Sequence, residues 1–512
     1  MALWTGGLGD TMKGFNSKRR AVFKGLGAMG VISVLNGCLD DSGDGGAAGD
    51  TANRERRLGS DPGSAANKLL IDASVDATGI PANIPIYAYI TGLVKVPGQV
   101  FYRYDPVSRK PVEMSTGDNT ITDASKIQTG LSGATYSQNY PNAWANYSIP
   151  LDRSGVTEVA DLSSFDSTNI PGFGNGDAAF SGRIWISVGK PLLPFTPRVG
   201  GDLSGAGKVD GYTTPVVAAN GVGALCFYDW LEFSYSVDGL LYINTTQVDQ
   251  YGFPVSASAT GESVVGSPQG EYLKKRSEIL SELAALAEPL FATSVEIPTV
   301  GVDADAYPPM ANTQGKLRAL APSKTPAVVG STYLDAVISD ALLHWKGDWL
   351  SVTCSSNAIQ KTYYGRTQAD NKTLIFYKDT LQTGGPQFSF DDLTTQNVLD
   401  CDGQMTGVGV PQVGDLLVDL KNTGKAILAG FNRGVIGPTT TELNIDAGGS
   451  YTPPLSDNYK PGVPFNAWAQ HFHDYSASGL AYGFAYDDVG DQQPMIIATK
   501  TTSLKLALGK FE

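Results

Sequence analysis

The most informative segment of the chain is residues 227–249, with the sequence Phe227-Tyr-Asp-Trp-Leu-Glu-Phe-Ser-Tyr-Ser-Val-Asp-Gly-Leu-Leu-Tyr-Ile-Asn-Thr-Thr-Gln-Val-Asp249. Its two halves are rich in aromatic and aliphatic residues, and Asp238-Gly239 between them is a strong signal for a tight hairpin turn. We therefore predict two antiparallel strands joined by a two-residue turn.

This turn fixes which residues of the two strands face each other. It places Glu232 opposite Thr245 and Asp249 opposite Tyr228. An ideal hairpin in this register separates the two acidic positions by roughly 13 Å along the strands. A bend or bulge must therefore bring the two carboxyl groups closer if they act together.

The predicted hairpin has a polar and an apolar face. The polar face carries Tyr228, Trp230, Glu232, Ser234 and Asp249. The apolar face carries Phe227, Leu231, Phe233, Tyr235 and Val248, as expected for a core side. Two carboxyl groups beside aromatic rings suit the cleavage of sugars, in which one acid protonates the leaving oxygen and one base activates water. The residues alone also allow a second interpretation, in which Glu232 and Asp249 are ordinary solvated or hydrogen-bonded acids.

The composition of the chain limits its class. It has 512 residues, of which 60 are Gly and 29 are Pro, and its formal net charge is −14. This length allows about two to four domains, and the acidic balance argues against a nucleic-acid partner, which requires clustered positive charge. No apolar run reaches the roughly 18 residues that a membrane-spanning helix needs.

The N-terminal residues resemble an export signal. An arginine pair in Lys18-Arg-Arg-Ala-Val-Phe-Lys24 is followed by an apolar stretch and by Leu35-Asn-Gly-Cys38, which is similar to a bacterial lipobox. We predict that residues 1–37 are a twin-arginine-like lipoprotein signal peptide, that Cys38 is lipidated, and that residues 38–67 are a flexible tether. The protein is then an exported lipoprotein of the bacterial cell envelope, at the periplasm-facing membrane or the cell surface, and touches the membrane only through its lipid.

The rest of the chain changes character near residue 267. Residues 68–266 show short runs of strand-forming residues separated by turns, which predicts a β-barrel or sandwich. Residues 267–495 mix strands, among them 483–486, with apolar helical patterns at 271–287, 332–345, 415–431 and 465–476. Residues 496–512 are predicted to return to the barrel as a C-terminal strand. The fold class is α+β, with a cleft between two lobes.

Several familiar catalytic patterns are missing. The chain has no G-x-S-x-G, H-E-x-x-H or P-loop motif and only three histidines, His344, His471 and His473, for which we predict structural roles. No metal is expected. Cys354 and Cys401 are predicted to form a disulfide, as an exported protein allows, and Cys226 to remain a buried thiol.

A second acidic pair, Asp487 and Asp488, is a rival candidate. The neighbouring residues Tyr482, Phe484 and Tyr486 alternate as in a strand, so only one of the two acids would face a cleft. The alternative is that both are structural turn residues or hydrogen-bond acceptors.

Several blocks of sequence resemble one known family. Residues 227–233, followed by Asn244-Thr-Thr-Gln-Val-Asp-Gln-Tyr-Gly-Phe-Pro254, closely resemble the signature of glycoside hydrolase family 64, the β-1,3-glucanases with a thaumatin-like fold. The block 181–190 upstream and the blocks 399–403, 430–434 and 479–490 downstream are similar to further family blocks, in the same order. The resemblance covers most of the chain after the export signal.

The resemblance implies an endo-acting hydrolase that cuts β-1,3-glucan with inversion and releases short laminari-oligosaccharides. It places the general acid on Glu232 and the general base on Asp249, and it places Ser234, Tyr242 and Thr246 in the sugar groove, beside which we expect Trp230. The family more often has Thr in place of Ser234 and Trp in place of Tyr242. The implied fold is a thaumatin-like β-barrel packed against a mixed α/β lobe, with a wide groove between them.

Two other functions remain open at this stage. One is a thaumatin-like surface lipoprotein that binds β-glucan without cutting it. The other is a structural surface lipoprotein whose glucanase ancestry is vestigial. The presence of both Glu232 and Asp249 favours the enzyme. We expect a monomer without a cofactor whose partner is β-1,3-glucan.

Overall fold

The computed structural model describes residues 67–512 except 97, 123–128, 167–169, 171–178, 200–210, 219, 237–238, 357–358, 392, 403–414 and 445–450. The predicted signal peptide, the lipidation site Cys38 and the tether, save its last residue, lie outside the described residues. In the described part, no helix is both long and apolar enough to cross a membrane.

Short strands dominate the described residues, with helices concentrated after residue 275. The strands are β1 (Lys68–Asp72), β2 (Ile86–Val96), β3 (Gly98–Asp105), β4 (Lys110–Glu113), β5 (Ile149–Pro150), β6 (Val156–Asp161), β7 (Phe180–Val188), β8 (Thr196–Arg198), β9 (Gly211–Thr213), β10 (Tyr228–Ser236), β11 (Leu240–Thr245), β12 (Gln250–Tyr251), β13 (Val255–Thr260), β14 (Ser263–Val265), β15 (Ser294–Glu296), β16 (Lys316–Leu320), β17 (Leu350–Ser356), β18 (Ile359–Thr367), β19 (Leu374–Tyr377), β20 (Phe388–Phe390), β21 (Glu442–Leu443), β22 (Met495–Thr499) and β23 (Ser503–Leu508). The α-helices are α1 (Val75–Thr78), α2 (Gly133–Asn139), α3 (Arg276–Ala284), α4 (Met310–Thr313), α5 (Asp335–Gly347), α6 (Thr395–Asp400), α7 (Asp415–Asn432) and α8 (Ala467–Tyr475).

Two sheets enclose the first hydrophobic core. The larger sheet has the order β14-β22-β11-β10-β7-β2-β3-β4, with β5 paired to β2, and the smaller has the order β13-β23-β1-β6. β23 lies parallel to β1, so the end of the chain is paired with its first described strand. Buried residues of both sheets, among them Ile184, Phe233, Leu69 and Leu504, belong to one cluster. The hairpin strands β10 and β11 therefore lie inside the larger sheet, with neighbours on both sides.

The second hydrophobic core combines helices with a five-stranded sheet of order β20-β19-β18-β17-β21. α7 packs on β17 and α5 on β18. The apolar stripe predicted for α5 is buried at Val337, Ile338, Ala341, Leu342 and Trp345. A three-stranded sheet, β12-β16-β15, follows the hairpin and pairs residues just after Asp249 with β16.

Most predicted elements are confirmed, and one strand is wrong. The four predicted helices correspond to α3, α5, α7 and α8, and the structure is a sheet-rich mixture of α and β elements. Residues 483–486, predicted as a strand, instead begin a run of turns that extends to residue 490. Strand-like alternation of aromatic residues occurs here because Tyr482, Phe484 and Tyr486 are all buried in the second core, not because they belong to a sheet.

The predicted disulfide is also wrong. Cys226, Cys354 and Cys401 are buried thiols. The sulfur of Cys354 lies 4.0 Å from the carbonyl oxygen of Asp419, in the first half of α7. The sulfur of Cys401 lies 3.9 Å from Nδ2 of Asn432, at the other end of that helix. Asp419 and Asn432 are roughly 20 Å apart along the helix axis at 1.5 Å per residue, so the two sulfurs are too far apart to bond.

Candidate active site

The hairpin of β10 and β11 has a register one residue away from the predicted one. Glu232 faces Asn244 rather than Thr245. The last pair before the turn is Ser236 with Leu240, so three residues connect the strands instead of two. Gly239, the third of them, has a φ of 68°, a conformation that glycine adopts without steric cost. The extra residue accounts for the shift, and it follows that Asp249 does not face Tyr228 as a strand partner.

Glu232 is buried in the middle of the larger sheet beside an arginine. Its side chain is 2% exposed, and Arg183 faces it directly from β7. Nη2 and Nε of Arg183 donate to Oε1 of Glu232 at 3.1 Å and 3.3 Å. Burying a carboxylate is unfavourable unless it is paired and hydrogen-bonded. Arg183 therefore offsets the loss of hydration of Glu232 within the sheet.

Two tryptophan rings hold the guanidinium of Arg183. Its central carbon lies 4.8 Å from the ring centre of Trp230 and 5.4 Å from that of Trp185. Trp185 is itself fixed by its Nε1, which donates to Oγ1 of Thr91 at 2.9 Å. Cation–π contacts of this kind favour a fixed guanidinium position. The two rings therefore support the guanidinium of Arg183 on the side chains' common face while it contacts Glu232.

Asp249, the second predicted carboxylate, is also paired with a cation. Its side chain is 9% exposed, and Oδ1 lies 3.5 Å from Nζ of Lys324, the last residue of the 3₁₀ turn Pro322–Lys324. The backbone carbonyl of Asp249 accepts from the amide of Ala321 at 3.0 Å. Burial raises the pKa of the Asp400 carboxyl to about 6, and the positive charge of Lys324 opposes this shift. The turn thus fixes the backbone of Asp249 and supplies a positive charge.

The segment between β11 and Asp249 is anchored by the second core. The amide of Gln247 donates to the carbonyl of Tyr482 at 2.8 Å, and Nε1 of Trp468 donates to the carbonyl of Gln247 at 2.9 Å. Val248, predicted to face the core of the sheet with Phe233, instead belongs to the second core. The strand has already ended at Thr245, so the chain leaves the sheet and the alternation of faces no longer applies.

The remaining predicted sugar-binding residues lie close to Glu232 along the hairpin. Ser234 directly faces Tyr242, and Trp230 lies two residues before Glu232 on the same face of β10. Burial raises the pKa of Tyr242 to about 12. Thr246 follows the end of β11, where its Oγ1 accepts from the amide of Val248 at 3.3 Å. All of them are more than nine-tenths buried.

Asp229 is a buried carboxyl that the sequence did not single out. Its Oδ2 accepts from the amide of Gly252 at 2.7 Å, and its Oδ1 accepts from the amide of Trp230 at 2.9 Å. Burial raises the pKa of Asp229 to about 7. These backbone contacts tie the start of β10 to the chain beyond β12 and give Asp229 a structural role.

The rival acids Asp487 and Asp488 lie in turns and have separate cationic partners. Asp487 is fully buried, and its carboxylate accepts from Nη2 of Arg433 at 2.9 Å and contacts Nε2 of His473 at 3.0 Å. Asp488 lies 3.1 Å from Nζ of Lys425. The idea that a strand would point them to opposite sides is wrong, because the backbone turns back and the amide of Gly483 also donates to Asp487.

His473 belongs to the same hydrogen-bond network as Asp487. Its Nδ1 contacts the carbonyl of Gly479 at 2.9 Å, so both ring nitrogens have a partner. His471 contacts the hydroxyl of Tyr475 through Nδ1 at 2.6 Å. Within the residues that the structure describes, no group of three or more His, Cys, Asp or Glu side chains is arranged to hold a metal ion.

Comparison with known proteins identifies the family. The family model described as β-1,3-glucanase, glycoside hydrolase family 64, matches residues 80–508. The chain belongs to glycoside hydrolase family 64. Members of this family are glycoside hydrolases that act as β-1,3-glucanases, and the resemblance seen in the sequence is thereby confirmed. No curated protein matches the chain significantly.

Solved family 64 structures share the fold of the chain. A laminaripentaose-producing β-1,3-glucanase in complex with laminaritetraose matches with a TM-score of 0.56 and 19% identity, over 88% of this chain and 100% of that one. A β-1,3-glucanase domain from Clostridium beijerinckii matches with a TM-score of 0.55 and 20% identity, over 86% of this chain and 98% of that one. Both matches therefore extend across the two cores.

Sequence reasoning missed the two cations beside the carboxylates. Arg183 carries a signal, because a charged residue followed by Ile184 and Trp185 in a strand needs a partner. Lys324 carries none, since its approach to Asp249 depends on the pairing of β12 with β16.

Proposed function

We propose that the chain is an endo-β-1,3-glucanase that hydrolyses laminarin- or curdlan-type glucan to short laminari-oligosaccharides with inversion of configuration. Membership of glycoside hydrolase family 64 supports the substrate class. The observation that carries the proposal is the placement of Glu232. It is a buried carboxyl in the centre of a sheet, bonded to Arg183 and flanked by Trp230. This placement puts an acid beside an aromatic ring, as the cleavage of a sugar chain requires.

In the proposed reaction, Glu232 is the general acid and Asp249 the general base. Glu232 gives a proton to the glycosidic oxygen, and Asp249 takes a proton from the water that attacks the anomeric carbon on the opposite side. An inverting pair needs its carboxyl groups roughly 6.5–9.5 Å apart to admit that water. Arg183 stabilises the carboxylate that Glu232 becomes after proton transfer, and Lys324 orients Asp249.

The sugar chain is proposed to lie in a groove between a thaumatin-like barrel and the mixed α/β lobe. Trp230, Ser234, Tyr242 and Thr246 are its proposed contacts. Flat aromatic surfaces suit the faces of sugar rings, whereas hydroxyl groups suit their edges. The laminaritetraose bound by a structural relative supports a ligand of this type.

The proposal is tested by reducing-sugar release from laminarin and curdlan. Residues 67–512, the part that contains both cores, are compared with the Glu232→Gln and Asp249→Asn variants. We expect each variant to lose roughly 10³-fold or more of kcat while still binding glucan. Nuclear magnetic resonance of the fresh product gives its anomeric form, which is α if the reaction inverts.

An exposed acid supplies a matched control. Glu262→Gln removes an acid that is 64% exposed and paired with Lys500, and we expect wild-type activity from it. A wild-type protein that binds glucan but releases no sugar would instead support the non-catalytic binding protein. Full activity in either site variant would remove that residue from the mechanism.

We also propose that the chain is exported and anchored through a lipid on Cys38. The twin-arginine and lipobox-like patterns of residues 18–38 support this location. The domain division remains a prediction, with a barrel of residues 68–266, a mixed α/β region of residues 267–495 and a C-terminal segment 496–512 that returns to the barrel. The monomeric state also remains a prediction. Partition of the full chain and of Cys38→Ala into detergent tests the anchor, because only the lipidated protein should enter the detergent phase.

A further inference from the structure

Four side chains form a square on one face of the hairpin. Glu232 faces Asn244, and Ser234 faces Tyr242, across the ladder of β10 and β11. Directly facing residues have their Cβ atoms about 5 Å apart, and residues two apart on a strand share a face. Glu232, Ser234 and Tyr242 already have proposed roles in binding or cleaving sugar. Asn244 is the fourth corner, beside the proposed general acid, and has none.

The side-chain amide of Asn244 is buried without a partner. The residue is 3% exposed, and its Nδ2 makes no hydrogen bond to any residue that the structure describes. Native proteins rarely leave a buried amide donor unpaired, because its lost hydration is not replaced. An unpaired donor in such a position is explained if a bound molecule supplies the acceptor.

The same face carries two further unpaired donors. The hydroxyl of Tyr242 and Nε1 of Trp230 also have no hydrogen-bond partner among the described residues. Both belong to residues more than nine-tenths buried, and together with Asn244 they surround Glu232 on the hairpin. Three donors around one carboxyl match a ligand rich in hydroxyl acceptors, which is the chemistry of a glucan.

We infer that Asn244 is a substrate-binding residue whose side-chain amide donates a hydrogen bond to a hydroxyl group of the glucosyl unit beside Glu232. The inference rests on the proposed function and assigns a further residue to the same site. A sugar that receives a proton from Glu232 also reaches Asn244, because the two residues face each other. Contacts next to the bond that breaks strengthen as the ring distorts, so Asn244 contributes mainly to kcat.

The Asn244→Leu variant tests this role. Leucine has nearly the same size and removes the unpaired polar group, so we expect the melting temperature to stay the same or rise. We expect kcat/KM on laminarin to fall roughly 10-fold to 100-fold, chiefly through kcat. Thr367→Val is the matched control, because it likewise removes a buried polar group without a partner, in this case a hydroxyl at the end of β18 in the other core. It should leave kcat/KM unchanged.

The possible outcomes separate the two proposals. If the wild type cuts laminarin and Asn244→Leu cuts it equally well, the inference is wrong and the proposed function stands. If Asn244→Leu loses activity only in proportion to a lowered melting temperature, Asn244 is structural and the inference is again wrong. If the wild type neither binds nor cuts laminarin, the proposed function fails and the inference fails with it. Calorimetry of laminaritetraose in the Glu232→Gln background gives a readout without turnover, in which adding Asn244→Leu should weaken binding only about threefold, because most of the contribution of Asn244 is made in the transition state.

Discussion

Arg183 donates from Nη2 to Oε1 of Glu232 at 3.1 Å, directly across the pair formed by β7 and β10. The side chain of Arg183 is 22% exposed and that of Glu232 is 2% exposed, so the two charges are largely removed from water. Two tryptophan rings fix the guanidinium. The pair therefore fixes the position of the carboxyl group of Glu232 within the sheet.

Replacing Arg183 with methionine should lower both activity and stability. The free energy of unfolding should fall by about 2 kcal/mol, because Glu232 is left buried beside an uncharged side chain. We expect kcat to fall about 100-fold, since a small displacement of a catalytic group is costly. Arg183→Lys should recover only part of this loss, because lysine lacks the planar fork that reaches Oε1 through two nitrogens. Steady-state kinetics and urea unfolding measure the two effects.

Arg366 provides a matched control for Arg183. Its guanidinium also lies over a tryptophan ring, 5.2 Å from the centre of Trp349, but it is on β18, in the other core. Arg366→Met should therefore leave kcat unchanged within about twofold, since it removes this ring contact and hydrogen bonds to the carbonyls of Lys346 and Gly347 but no contact with Glu232. Equal losses in Arg366→Met and Arg183→Met would contradict a specific role of Arg183 beside Glu232.

Replacing Lys324 with methionine should lower kcat about tenfold with little change in KM. Lys324 lies 3.5 Å from Oδ1 of Asp249, and its loss frees the orientation of that carboxylate without removing a contact to sugar. Lys500→Met is the control, because Lys500 pairs with Glu262 on an exposed surface. Exposed pairs contribute little, so this variant should match the wild type in initial rates on laminarin. A change in KM alone for Lys324→Met would point instead to a role in substrate binding.

The sequence predicts elements better than it predicts contacts between distant elements. The helices and most strands follow local periodicity, and Glu232 was found because the motif around it is contiguous. The register of the hairpin failed by one residue, since turn length cannot be read from Asp238-Gly239 alone. Arg183 and Lys324 approach the carboxylates through strand pairing and a turn far along the chain, which no local pattern records.

The cysteine assignment shows the same limitation. The predicted disulfide between Cys354 and Cys401 depends on an exported location. That location indicates an oxidising environment but gives no information about the distance between the two sulfurs. The structure places them at opposite ends of α7. We expect three thiols in residues 67–512 to react with Ellman's reagent after denaturation, and almost none before it, because all three are buried. A reducing agent should leave the melting temperature unchanged, whereas a drop would indicate a disulfide.

Replacing His473 with glutamine should destabilise the protein in a manner that depends on pH. Burial opposes the charge on this imidazole, but the negative charge of Asp487 and its hydrogen bond outweigh burial and raise the pKa of His473 above its usual value. Protonated His473 therefore stabilises the fold fully below about pH 6.5, the unfolded pKa, and this contribution is lost as pH rises through the higher folded pKa. The wild type should exceed His473→Gln by about 2 kcal/mol at pH 5.5, and by less at pH 9.

His471 provides a control with the opposite sign. Burial lowers the pKa of His471, so folding favours its neutral form and the wild type loses stability as pH falls below about 6.5. The difference in unfolding free energy between the wild type and His471→Gln should therefore grow with rising pH, whereas that for His473→Gln shrinks. Urea unfolding of both variants at pH 5.5 and pH 9 measures these differences. Equal pH dependence in the two variants would mean that the contact of His473 with Asp487 does not control its protonation.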